Sequence, residues 1–231
     1  MIQFSDFEKK IKVIFKDKNL LKQAFTHRSY INENGAASHS HNERLEFLGD
    51  AVLELIVTDF LYKKYPQYTE GELTAMRSAL VNAIIISEIA ADIGMNDFLL
   101  LSKGEAKDNG KARQYILANT YEALVGAMYL DQGYEVVEKF ITKTLLPKTD
   151  EIANKKLWRD AKSLVQEKAQ EFVSVTPAYK VLHQSGPDHD KHFTVGIYFG
   201  GVLIAEGKGQ SKQEAEQSAA LAALKVKNWL D

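Results

Sequence analysis

The chain has 231 residues, 45% of them hydrophobic and 26% charged, with a formal net charge of −2. That composition has room for one large or two modest globular domains and excludes a disordered or fibrous chain. With no cysteine there is neither a disulfide nor a thiolate metal site, and no apolar run reaches the ~20 residues that cross a membrane.

The start, "MIQFSDFEKK", has no signal-peptide core before its first charges, so a cytoplasmic protein with no membrane partner is expected. Charge is spread evenly: from Leu157 onward there are 9 basic and 9 acidic residues. Any nucleic-acid surface must therefore come from local clusters of Lys and Arg, because phosphate neutralisation needs concentrated cations.

From residue 4 to about 146 the pattern is helical, with apolar or amphipathic segments separated by "NENGAASHS", "YPQYTEG" and "KDNGKARQ". No strand alternation interrupts it. "LLPKTDEIANKKL" then brings a proline and a polar run, which predicts a boundary. Beyond it, a helical "AKSLVQEKAQEF" precedes "AYKVLHQSG", "HFTVGIYFGG" and "VLIAEGKGQ", rich in β-branched and aromatic residues, and "SKQEAEQSAALAALKVKNWL" closes with helix formers. The predicted organisation is multidomain: an all-α domain at 1–147, a linker at 148–157, and an α+β domain of order α-β-β-β-α at 158–231.

Within the first domain, "HNERLEFLGDAVLEL" at 41–55 sets Glu43, Glu46, Asp50 and Glu54 among Leu45, Phe47, Leu48, Ala51, Val52, Leu53 and Leu55. At about 100° per residue these acids form one narrow lengthwise stripe. Carboxylates on an otherwise buried helix are costly unless something positive meets them. A second apolar helix, "YILANTYEALVGAMYL" at 115–130, carries Asn119 and Glu122 one turn apart. Two such helices can converge on a hard divalent cation such as Mg²⁺, which prefers oxygen ligands.

Other readings compete with this one. Glu43 fits a capping box with Ser40, and Glu54 reads as part of a solvated edge. Glu46 and Asp50 alone serve a structural or a metal reading equally; Asn119 and Glu122 tip the balance towards metal. His27, His39 and His41 lack metal-ligand spacing and read as loop or capping residues. There is no phosphate-binding glycine loop and no G-x-S-x-G elbow.

"HNERLEFLGDAVLEL", preceded by "LKQAFTHRSY" and followed by "TEGELTAMRSALVN" and "ILANTYEALVGAMYLDQGY", resembles the ribonuclease III family in order across nearly the whole chain. The resemblance implies a homodimeric, Mg²⁺-dependent endonuclease, with Mn²⁺ as a substitute, that cuts double-stranded RNA to 5′-phosphate and 3′-hydroxyl ends with short 3′ overhangs. Ribosomal precursors are typical substrates. It assigns Glu46, Asp50 and Glu122 as metal ligands, Glu43 and Glu70 as accessory acids near the scissile phosphate, and Phe47 as an aromatic knob into the partner subunit. For Phe47, local core is an equally good account.

One position departs: Asn119 stands where the family usually has Asp. An amide keeps a coordinating oxygen but removes a charge, so a tolerated variant, a weakened enzyme and a substitution that traps RNA uncut all remain open.

The second domain resembles a double-stranded RNA-binding domain through "DAKSLVQEKAQ", "GPDHDKHFTVGIYFGG" and "GKGQSKQEAEQSAA". Such a domain reads A-form shape rather than sequence. The resemblance places Gln166 and Glu167 at one minor groove, His189 at the next, and Ser211 with Lys212 on phosphates at a helix start. Gln213 replaces a usual second lysine, which predicts modest affinity and a shallow salt slope. Two rivals stay in play: a non-cleaving dsRNA-binding dimer, kept alive by Asn119, and a helical Mg²⁺-dependent nucleotide pyrophosphatase, which leaves the second domain idle.

Overall fold

Two long helices that are apolar around most of their circumference dictate the first part of the chain. In the computed structural model, which describes residues 3–34, 40–108, 110–154, 161–187 and 191–229, these are α4 (Glu43–Lys64) and α7 (Lys111–Gln132). The chain divides into two compact units, Met1–Trp158 and Arg159–Asp231.

In the first unit α7 is the central element. It buries Leu117, Tyr121, Leu124 and Met128 and packs against α4, α2 (Lys18–Ala24), α6 (Ala83–Asp92) and α8 (Tyr134–Thr144). Tyr121 is wholly buried, stacked on Phe140, with its hydroxyl 2.9 Å from Thr144 Oγ1, so its one polar atom is satisfied. α7 extends beyond the 115–130 segment read from sequence because its first turn is held from outside: the Arg113 guanidinium donates to the carbonyls of Glu105, Ala106 and Asp108.

α1 (Phe4–Ile11) is pinned by aromatic packing, Phe7 meeting Phe25 edge-on at 4.9 Å and Phe98 at 5.2 Å. Short α3 (Arg28–Asn34) follows, and α5 (Glu70–Leu80) opens with a complete Thr69–Glu72 capping box. No single described helix is long and apolar enough to cross a membrane; the bent pair α5 and α6 spends its apolar residues, among them Met76, Leu80, Ile86 and Ile89, on this core.

The expected linker at 148–157 is corrected over its described part. α9 (Lys148–Asn154) folds there, buries Thr149 and Ile152, and packs on α5. Pro147 immediately precedes this helix, where its missing N–H removes no helical bond, so the proline starts an element as readily as it ends one.

The second unit runs α10 (Ala161–Val173), β1 (Ala178–Ser185), β2 (His192–Phe199), β3 (Val202–Gly209) and α11 (Lys212–Val226), its sheet antiparallel in the order β1-β2-β3. Phe193, Val195, Ile197 and Phe199 alternate along β2 and face the helices, as period-two geometry demands. Ala219, Ala220 and Ala223 give α11 a flat side that lies close on the sheet. β2 and β3 join through Gly200 and Gly201, both at positive φ (55° and 87°), the conformation of a tight two-residue hairpin loop.

Candidate metal centre and nucleic-acid interface

The crossing of α4 and α7 has almost no side-chain thickness. A Cβ on Gly49 would stand 1.7 Å from the main-chain oxygen of Glu122, and one on Gly126 would stand 2.2 Å from that of Leu45. Backbone therefore rests on backbone, and Glu46 and Asp50, beside Gly49 on α4, come within electrostatic reach of Glu122 on α7. Asn119 lies one turn before Glu122 on α7.

Electrostatics record the juxtaposition. Burial first, then the carboxylates of Asp50, Glu46 and Glu54, push the Glu122 carboxyl up to about 7. Glu46 is also raised, by burial and then by Glu43 and Asp50. Among the described residues none of Glu46, Asp50 or Glu122 has a basic partner within ion-pairing distance, whereas Glu43 lies 3.9 Å from Arg28 and 3.7 Å from His41. Carboxylates that raise Glu46 and Glu122 with no cationic side chain beside them form an oxygen donor set suited to a hard divalent cation. No three acidic or His side chains among the described residues already stand at ligation distance. The donor chemistry fits a cation, and among the described residues tight ligand geometry is not preformed.

Several expectations change. Glu43 does not complete a capping box with Ser40: α4 is capped at Asn42, whose side chain is turned inward to donate to the Ala24 carbonyl at 3.2 Å while its main-chain oxygen accepts from Glu46 N at 2.9 Å. Glu54 is half-buried on α4, and its charge is the smallest of the three that raise Glu122. Glu70, at the first position of α5, is not brought to the cluster in the single chain. Its carboxylate accepts from Thr74 Oγ1 at 3.1 Å, and it is not among the charges acting on Glu46 or Glu122. Phe47 is 82% exposed, so the local-core account fails. It heads a stripe of α4 continued by Leu55 and Tyr62, both exposed.

His27 has its ring Nδ1 2.8 Å from Ser29 Oγ, which in turn accepts from Ser102 N at 3.1 Å. This ties the segment before α3 to the 100–103 loop and is an anchoring role rather than a metal-binding one. His39 lies outside the described residues.

In the second unit Gln166 and Glu167 are exposed on α10, where they line a shallow groove with Ser163, Gln170 and Thr176. Gln170 stands one turn beyond Gln166 on the same side of α10. Ser211 caps α11, accepting from Glu214 N at 3.1 Å, and Lys212 stands exposed at the first position. Within this unit, Lys162 on α10 pairs with Glu216 on α11 at 2.6 Å. His189 lies outside the described residues.

Residues 17–149 match the family described as Ribonuclease-III-like, and residues 161–227 match the double-stranded RNA binding motif. The chain is 44% identical to Ribonuclease 3 of Geobacillus thermodenitrificans (strain NG80-2) over 224 residues, covering 97% of this chain and 91% of the relative. It is 44% identical to Ribonuclease 3 of Bacillus cereus (strain G9842) over 222 residues, 96% of this chain and 90% of the relative. The solved nuclease domain of ribonuclease III from Campylobacter jejuni is 38% identical with a TM-score of 0.57, covering 64% of this chain and 97% of that one. A second structure of that domain, at the same TM-score and identity with 63% and 97% covered, concerns flexibility in its region involved in dimer formation. The two matched segments, in this order and over nearly the full length of these relatives, show that the chain belongs to the ribonuclease III family of endoribonucleases.

Proposed function

We propose that the chain is a Mg²⁺-dependent endoribonuclease of the cytoplasm that cuts double-stranded RNA, ribosomal precursors among its substrates, leaving 5′-phosphate and 3′-hydroxyl ends with short 3′ overhangs. The observation that carries the reading is the pairing of Glu46 and Asp50 with Glu122 across the Gly49–Gly126 crossing, in a chain that continues into a double-stranded RNA binding motif.

Glu46, Asp50 and Glu122 hold the cation, with Mn²⁺ able to replace Mg²⁺, and the Asn119 amide oxygen completes the donor set or orients water. When bound, the ion supplies Lewis-acid stabilisation of phosphate charge and eases deprotonation of water. Glu43, held beside Arg28 and His41, and Glu70, reached through a second subunit or a bound duplex, act on the scissile region from outside that set. The exposed stripe headed by Phe47 is the homodimer face. A large ring left in water on a helix otherwise spent on the core is an unfilled contact. Gln166, Glu167, His189, Ser211 and Lys212 hold the duplex by shape and phosphate.

Asn119 favours a second reading, a dsRNA-binding dimer that cuts weakly or not at all, because an amide at that position removes one charge from the donor set. Cleavage of a perfectly paired RNA by this chain, by Asn119→Asp and by Glu122→Gln separates the two readings.

A further inference from the structure

Glu46, Asp50 and Glu122 take no part in a cleft of about 660 Å³ in the first unit, bounded by the end of α1, the end of α6 and one face of α8. Its floor is apolar, formed by side chains such as Val13, Ile93 and Val136, and its rim carries Lys10, Lys12, Lys139 and Lys143 against one acid, Asp92. The volume lies in the range of sites for small organic ligands, roughly 300 to 1,000 Å³.

The lysines set the charge of the rim. Some cations of this unit sit in ion pairs, Lys9 with Asp6, Lys18 with Glu8, Lys63 with Asp59 and Lys64 with Asp150. Among the described residues the four rim lysines have no such partner; Lys10 lies instead over the Phe98 ring, its Nζ 5.7 Å from the centroid. Lys139 and Lys143 are four apart on α8, a spacing at which like charges repel. In a chain whose net charge is −2, this convergence is not a by-product of general basicity.

We propose that this cleft binds a nucleoside 5′-di- or triphosphate, the polyphosphate among the four ammonium groups and the base against the apolar floor. Three or four negative charges match the four cations, and a flat heterocycle suits an apolar cleft with few polar groups. An RNA duplex fits less well, because it presents phosphates along a convex ridge and has no free base to fill the floor. The site is independent of the nuclease reading.

Calorimetric titration of the full-length protein in EDTA, so that no metal recruits phosphate to the acids, tests it with ATP, GTP and inorganic tripolyphosphate as probes. Saturable binding of ATP or GTP is expected, weakened at least ~10-fold by Lys139→Glu with Lys143→Glu and several-fold by Lys10→Gln on a separate helix, and unchanged by Lys225→Glu. Unaltered melting of these variants excludes a folding defect, and the neutral pair Lys139→Gln with Lys143→Gln replaces the charge-reversed pair if that one unfolds. Absence of saturable nucleotide binding overturns the proposal. Tripolyphosphate binding as tightly as ATP overturns the role of the floor and with it the nucleoside assignment. Nucleotides failing to bind while a short RNA duplex loses affinity in the same variants makes the lysines an RNA contact and overturns the site.

Discussion

The main-chain oxygen of Glu122 occupies the place where a side chain on Gly49 would begin, 1.7 Å from an ideal Cβ. The glycine therefore sets the separation of α4 and α7, and that separation sets how closely Glu46 and Asp50 face Glu122. Gly49→Ala is expected to force the helices apart at a cost of about 3 kcal/mol or more, the upper end of overpacking. The first unit should then melt roughly 6 to 12 °C lower. A melting temperature unchanged from the parent contradicts this account of the crossing.

Glu122 titrates near 7 because burial and three carboxylates oppose its charge. Its folded pKa lies above its ordinary value of 4.5, so between those values the folded state binds more protons than the unfolded one. The sign follows: metal-free protein loses stability as pH rises from about 4.5 through 7. Glu122→Gln, which cannot ionise, should flatten that part of the profile. Melting curves in EDTA from pH 5 to pH 8 read it, and equal slopes in parent and variant refute it.

Phe47, 82% exposed, lies on the same face of α4 as Leu55 and Tyr62. Phe47→Asp places a charge where a partner subunit is expected to bury the ring. Sedimentation should show a shift from dimer to monomer with helical content retained. A variant that stays fully dimeric moves the interface elsewhere.

Lys212, exposed at the start of α11, stands on a helix N-terminus that favours phosphate. Lys212→Gln should weaken duplex binding uniformly across sequences and reduce the salt slope by roughly 0.9, one phosphate contact. A slope equal to the parent's removes Lys212 from the interface.

Much of this was legible in periodicity. The α-β-β-β-α order of the second unit followed from alternation in "HFTVGIYFGG" and from the alanines of α11, because period and propensity are local properties. The acid stripe on α4 was legible for the same reason. What local pattern does not contain is contact. That the charge of Glu54 reaches Glu122, or that Asn42 rather than Ser40 holds the N-cap position of α4 with its side chain turned inward, depends on a neighbouring helix. α9 is not legible in the sequence because its seven residues are mostly polar and owe their helix to the burial of Thr149 and Ile152 against the core. Phe47 was ambiguous because an apolar residue in an apolar helix carries no sign of which way it faces.

The most direct test of the central claim, that the α4–α7 oxygen cluster is a metal-dependent nuclease centre, is cleavage of a long, perfectly paired, end-labelled RNA with Mg²⁺ by this chain, Asn119→Asp and Glu122→Gln. The account predicts cutting by this chain, about 10-fold or more faster cutting by Asn119→Asp as a ligand charge is restored, and none by Glu122→Gln. If this chain retains the RNA uncut while Asn119→Asp cleaves it, the protein is a binding form of the nuclease scaffold and the proposed activity is wrong for this sequence.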